Sequence, residues 1–330
     1  MSKKHAATAA ANGHISSHGK AVVLPPNTVR HLAAGFKQQW KRYRKYLRRC
    51  QNKFSESAVH GSRVETRRLI AVLELLRPFF KRRLLDQAGT ALKRHLDTFD
   101  DLRDTQVQLI AVNKLHRGFP AAEDFSRYLR KREARLLRQT RKRVRRIKTR
   151  RLATLVSEFR SELKKWRSTT RVTQANALLL KSVDAAFQRT WRLQRLIQPK
   201  HTTTIHRTRI AFKKFRYMIE TLADLLPGAN DKLLSAMQHY QTMMGEIQDA
   251  EVLLATFDQF AKKCKGEPRA AARLRAELAR RRQWLVRVYM DAAHQLRDFW
   301  PENPDTPISD KALSAELRRS ATTLHTRAQN

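Results

Sequence analysis

From Thr28 onward, apolar residues recur three and four positions apart, the spacing that lines one face of a helix. The pattern predicts eight amphipathic helices near 28–52, 57–81, 84–117, 121–167, 172–198, 203–226, 229–265 and 268–299. Breaks fall at Gly118-Phe119-Pro120, at Pro199, at Pro227-Gly228 and between Gly266 and Pro268, where glycine or proline interrupts the period. Pro78 stands where it would end or kink the second helix. Residues 1–27 are rich in Ala, Ser, His and Gly, end in Pro25-Pro26 and are expected to form a disordered arm. After Trp300, three prolines within Pro301–Pro307 mark a linker, and a short amphipathic helix near 309–327 closes the chain.

The eight segments are not independent. His60-Gly-Ser-Arg63-Val64-Glu-Thr-Arg67-Arg68 is echoed 146 residues later by His206-Arg-Thr-Arg209-Ile210-Ala-Phe-Lys213-Lys214. A second echo pairs Asp104-Thr-Gln-Val107 with Asp249-Ala-Glu-Val252 at an offset of 145. Two landmarks with nearly the same offset imply a duplication. The expected fold is all-α, two tandem four-helix bundles at 28–170 and 171–300, each burying its own core, with 301–330 as linker and short C-terminal helix.

Composition sharpens this picture. Only 9 glycines and 10 prolines in 330 residues leave few turns and argue against a multi-stranded sheet. The 69 Lys+Arg against 29 Asp+Glu give a formal charge of +40, so the natural partner is a polyanion: nucleic acid, an anionic membrane or polyphosphate. At 41% hydrophobic residues the chain can still bury cores, which excludes general disorder. No apolar run is long enough to span a membrane, and the first 20 residues lack a secretory hydrophobic stretch. Cys50 and Cys264 form no metal or disulfide signature, so a reducing cytoplasm is expected.

On a helix, His206, Arg209, Lys213 and Arg216 share one stripe, and so do His60, Arg63 and Arg67, with Ile70 in place of a fourth cation. Arg68 and Lys214 stand beside these stripes, while Leu69, Val72, Leu73 and Leu76 face the other way, towards a core. Ser57 and Thr203 are candidate N-caps that would set both histidines near the positive ends of their helices. A polyanion there favours charged imidazole, so binding should tighten as pH falls towards about 6.5. Lys37, Lys41, Arg44 and Arg48 make a further stripe on the first helix, and Arg189, Arg192 and Arg195 one on the fifth; side by side with the motif helices they would line a basic groove. Residues 127–151 are almost continuously cationic and suggest a second polyanion-contacting surface. Asp104 and Asp249 are read as ion-pair partners that order the arginine ridge.

Other chemistries have less support. Neither motif histidine has a chelating neighbour, so no metal site is expected, and no phosphate-cradling loop, nucleophile elbow or other catalytic signature occurs. The expectation is a binding protein without cofactor, not an enzyme. Trp40, Tyr43 and Tyr46, three apart among cations, hint at base stacking, whereas Trp166, Trp191, Trp284 and Trp300 are expected to pack; nucleic-acid binding stays open as non-specific electrostatics, not as base readout. A phosphate-handling enzyme and a basic scaffold for acidic partners also stay open.

On its paired His60 and His206 motifs and its paired Asp104 and Asp249 segments, the chain resembles the conserved histidine α-helical domain (CHAD) family over about residues 28–300. The resemblance implies two four-helix bundles related by a pseudo-twofold axis and a basic surface lined by motif residues. It also implies binding of inorganic polyphosphate and association with polyphosphate granules. The residues it marks as phosphate contacts are His60, Arg63, Arg67, Arg68, His206, Arg209, Lys213, Lys214 and Arg216. Ile70 departs from the basic residue common at its position, which makes the two half-sites unequal. Some relatives carry a triphosphate-tunnel catalytic domain; nothing here resembles one, so binding alone is implied.

Overall fold

The computed structural model describes residues 22–115, 119–166, 169–263 and 267–301. The arm before residue 22 and the linker and tail from 302 onward therefore lie outside the described residues. Ten α-helices and no strand are found among those described. They are α1 (Thr28–Asn52), α2 (Glu56–Leu75), α3 (Arg82–Asp97), α4 (Asp100–Leu115) and α5 (Pro120–Arg145). Then follow α6 (Arg150–Lys165), α7 (Thr169–Arg195), α8 (Thr202–Leu222), α9 (Asp231–Lys263) and α10 (Pro268–Ala292). Pro120 and Pro268 each open a helix at a position whose N–H needs no partner, and Gly228, at φ 83°, makes the turn before α9.

Two predicted helices are each broken in two, at points that hold neither glycine nor proline. The predicted 84–117 segment ends as α3 at Asp97 and resumes as α4 at Asp100. Between them Phe99 turns inward, 1% exposed, while the Thr98 hydroxyl donates back to the Arg94 carbonyl. Asp100 and Asp101 then favour the start of a new helix. The predicted 121–167 helix stops at Arg145 because Gln51 of α1 intervenes: its amide donates to the carbonyls of Val144 and Ile147, at 3.3 and 3.0 Å.

The duplication is visible in the order of elements. Helices α1, α2, α3 with α4, and α5 correspond to α7, α8, α9 and α10; after α10 the described residues hold a short 3-10 helix, Ala293–Phe299, where α6 follows α5 in the first half. Helix α1 packs on α2, α7 on α8, α4 on α5 and α9 on α10, while α2 and α8 pack against each other across the halves. The expectation that each half buries its own core needs correction. The larger buried cluster draws on α1–α3, the end of α5, α6–α9, the second half of α10 and the closing segment to Trp300. The smaller joins Leu109, Phe125 and Leu129 of α4–α5 to Phe257, Phe260 and Leu274 of α9–α10. A buried Gln108–Thr256 hydrogen bond of 3.1 Å also links the halves.

The arm is also shorter than expected. Leu24 is 3% exposed, and Asn176 donates to the carbonyls of Leu24 and Pro25 at 2.7 and 3.1 Å, which fixes the chain from residue 22 on.

Helices α1 and α2 approach closely because the Tyr46 ring lies directly on Gly61, where a Cβ would collide with it. Gly61→Ala is expected to lower unfolding stability by about 1–3 kcal/mol, as overpacking does. Gly61→Ala/Tyr46→Leu should recover part of that loss in denaturant titrations; equal loss in both would place the strain elsewhere.

Candidate functional site

The crossing of α2 and α8 brings the two motif copies together. Ser55 is the residue that caps α2, accepting from the Ala58 N–H at 3.3 Å, and α8 begins after His201. Ser57 and Thr203 thus lie inside their helices instead of capping them, and each histidine occupies the fifth helical position. The core-facing expectation holds: Leu69, Val72, Leu73 and Leu76 are all 5% exposed or less. The opposite stripes of α2 and α8 meet as a polar cluster.

Arg63 is 7% exposed and donates from Nη1 to Asp100 Oδ1 at 2.7 Å. One turn on, Arg67 is pushed down to about 10 by burial and by the neighbouring Arg63 and Arg209. From α8, Arg209 is lowered by burial, with Asp249, Tyr217 and Asp104 opposing the shift. Lys213 sits among all three arginines; burial first and then Arg67, Arg209 and Arg63 drive its ammonium down to about 6. The carboxylates are strained the other way. Asp104 is raised to about 6 by burial and by Asp100 and Asp249, and Asp249 is raised by burial against the pull of Arg209 and Arg103.

The Nε donors of Arg67 and Arg209 are buried without an acceptor among the described residues. A guanidinium donor in that condition carries a desolvation cost that an anion would relieve. Gly245 makes room for this arrangement: the Arg209 Nε lies 3.4 Å from the point where a Cβ would be. Four predicted residues, Arg63, Arg67, Arg209 and Lys213, are therefore gathered in one place.

The remaining predicted residues are distributed around it. His60 is exposed and His206 half-buried on their helices. Arg68 reaches Glu65 at 3.7 Å, and Lys214 crosses to Glu74 of α2 at 3.4 Å. Arg189 of α7 lines a pocket of about 310 Å³ beside Lys214. Arg216 is 6% exposed and held by Glu220 at 2.7 Å and Gln241 at 3.0 Å, so it serves as a structural ion pair rather than an open contact. Lys37, Lys41 and Arg48 stay exposed along α1, Arg44 stacks on Trp40 at 5.9 Å, and Arg192 is half-buried.

Asp100 makes the ion pair that was expected of Asp104. Tyr217 was missed altogether, although it stands near both Arg67 and Arg209. Eleven positions after His206 it falls on the same stripe, a signal hidden by attention to cations alone. The base-stacking candidates fare poorly: Trp40 and Tyr43 are buried and Tyr46 covers Gly61. Trp284, expected to pack, is 53% exposed.

The model of the family described as CHAD domain matches residues 33–258. Among solved structures, the CHAD domain of the plant Ricinus communis superposes with a TM-score of 0.61 at 16% identity, covering 86% of this chain and 97% of that one. PptA from Streptomyces chartreusis superposes at 0.55 and 16% identity, covering 81% and 98%. At such identity these likenesses concern the fold. No curated protein matches the sequence.

The cluster has a stability consequence. The unfolded chain holds the Lys213 proton up to its ordinary value of 10.5, the folded chain only up to about 6. Between these values unfolding takes up a proton, so Lys213 destabilises the fold at neutral pH and the penalty fades as pH rises. Lys213→Met should raise Tm at pH 7 by about 2 °C or more, with the gain shrinking towards pH 10. A Tm unchanged or lowered at pH 7 would show that Lys213 is not strained.

Proposed function

The chain belongs to the CHAD domain family, and on that footing we propose that it binds a long polyanion, inorganic polyphosphate, at and beyond the α2–α8 crossing. The observation that carries the reading is the pair of buried Nε donors on Arg67 and Arg209, flanking a lysine that its surroundings strip of charge. Phosphate oxygens there would accept from both arginines and restore the Lys213 charge. Arginine forks match the geometry of phosphate oxygens, and the released counterions supply entropy. His60, His206, Arg68, Lys214 and Arg189 would extend the contacts along the polymer. The role is one of binding, without catalysis or a cofactor, and would place the protein where polyphosphate accumulates, at granules in the cytoplasm.

Nucleic acid is the weaker reading. It shares the charge and could bind through it, but the rings that stood among cations offer little for base stacking, since Trp40 and Tyr43 are 8% and 0% exposed. No described helix is long and apolar enough to cross a membrane.

Long-chain polyphosphate titrated onto the protein should be displaced poorly by DNA of matched charge. Its affinity should fall steeply with salt and drop by about tenfold or more in Arg67→Ala/Arg209→Ala. Equal displacement by DNA with an unaltered double variant would reduce the reading to net charge. A separate calorimetric series in buffers of different ionisation enthalpy should show proton uptake on binding at pH 7–8, because Lys213 passes from neutral to charged. That uptake should be lost in Lys213→Met; its persistence would assign the proton to another group.

A further inference from the structure

A second basic cavity lies away from the α2–α8 crossing, lined by residues of the first half. Helix α3 and the α5–α6 turn enclose a trough of about 900 Å³. Its rim carries Arg82, Arg83 and Arg94 from α3 and Arg146, Lys148 and Arg151 from the turn and α6. All six are exposed. Asp86 is the one carboxylate among the lining residues, and it is engaged by Arg82 at 3.5 Å and Arg77 at 3.6 Å.

The floor differs in kind from the rim. Leu152 and Leu155 are 3% and 6% exposed and are joined by Ile147 and Ala91. Between rim and floor stand Gln87, Thr90 and the imidazole of His95. His95 Nδ1 lies 2.6 Å from the buried Tyr43 hydroxyl, and burial and Arg94 lower its proton affinity. The Tyr43 phenol, raised by burial, stays protonated and pins the ring through Nδ1, which leaves Nε2 as the ring nitrogen available to a ligand.

We propose that this trough binds a nucleoside polyphosphate, with phosphates on the cationic rim and the base on the apolar floor. Its volume lies in the range of small-molecule sites, and an apolar floor with a few fixed polar groups is the usual composition of such sites. A bare phosphate chain would use the rim and leave the floor idle. A folded polypeptide or duplex would be too large to reach the floor. Gln87, Thr90 and His95 supply donors and acceptors for the edge of a base, and the rim cations match two or three phosphates.

The break between α5 and α6 sets Arg146 and Lys148 opposite α3, and the first turns of α6 complete the lining.

The test is calorimetric titration of the full chain with adenosine triphosphate, tripolyphosphate and adenosine. Each is titrated into the unaltered protein and into the Arg67→Ala/Arg209→Ala background, so that failure at the central cluster does not obscure this site. Adenosine triphosphate should bind saturably in both and more tightly than tripolyphosphate. Arg94→Ala/Arg151→Ala should weaken it by about tenfold or more through lost charge-assisted bonds. Thr90→Arg, at an exposed helical position, fills the trough while adding a charge; it should also weaken adenosine triphosphate and leave long-chain polyphosphate unchanged. Absence of saturable binding, tripolyphosphate binding at least as tightly, or tighter binding to Thr90→Arg would each overturn the proposal.

Discussion

The structure turns on the apposition of like charges where α2 meets α8. Three arginines and a lysine occupy a partly dehydrated space in which three carboxylates, Asp100, Asp104 and Asp249, offset them incompletely. Such a group could not persist on an isolated helix pair, because repulsion and desolvation would drive the helices apart. It persists because both helices are clamped from behind. Leu69, Val72 and Leu73 on α2 and Phe212, Phe215 and Ile219 on α8 are buried in the larger core. Each large apolar side chain so buried contributes about 1.5–3 kcal/mol, enough in sum to hold the cations in place. The fold thus keeps arginine donors dehydrated and unpaired, and an incoming anion need not reorganise them first.

A consequence is that charge is unequal in its availability. Arg63, Arg216 and Lys214 are matched by Asp100, Glu220 and Glu74 and serve largely to fix geometry. Arg67 and Arg209 keep donors without acceptors, and Lys213 is held near neutrality. A formal charge of +40 describes none of this. The long-range field gathers polyanions, whereas the few strained groups determine where one settles.

Much of the arrangement is legible in the residues themselves. The 60 and 206 motifs announced the duplication, and helical angles alone placed Arg63 with Arg67 on one stripe and Arg209 with Lys213 on another, but not that the two stripes meet. What the residues conceal is tertiary. The α5–α6 break depends on Gln51, which is distant in sequence and unremarkable in type. The α3–α4 break depends on Phe99 finding a buried place, with no glycine or proline to announce it. Arg216 shares the stripe of Lys213 by angle, yet Glu220 and Gln241 claim it. Periodicity gives the face of a helix, but not the partner waiting there.

The breaks have a further physical meaning. Helix α9 runs unbroken over Asp231–Lys263, whereas its counterpart is divided into α3 and α4. Division frees α3 to diverge from the line of α4 and to face the α5–α6 turn across the trough. A line of ion pairs runs from this region to the α2–α8 crossing: Arg82 to Asp86, Asp86 to Arg77, Arg77 to Glu74 and Glu74 to Lys214, at 3.5, 3.6, 3.2 and 3.4 Å. Each carboxylate in this line is shared between two cations, so an anion that draws one cation away leaves its carboxylate more available to the other. The duplicated scaffold therefore holds two basic sites of different depth and composition, and the departures from its symmetry are what distinguish them.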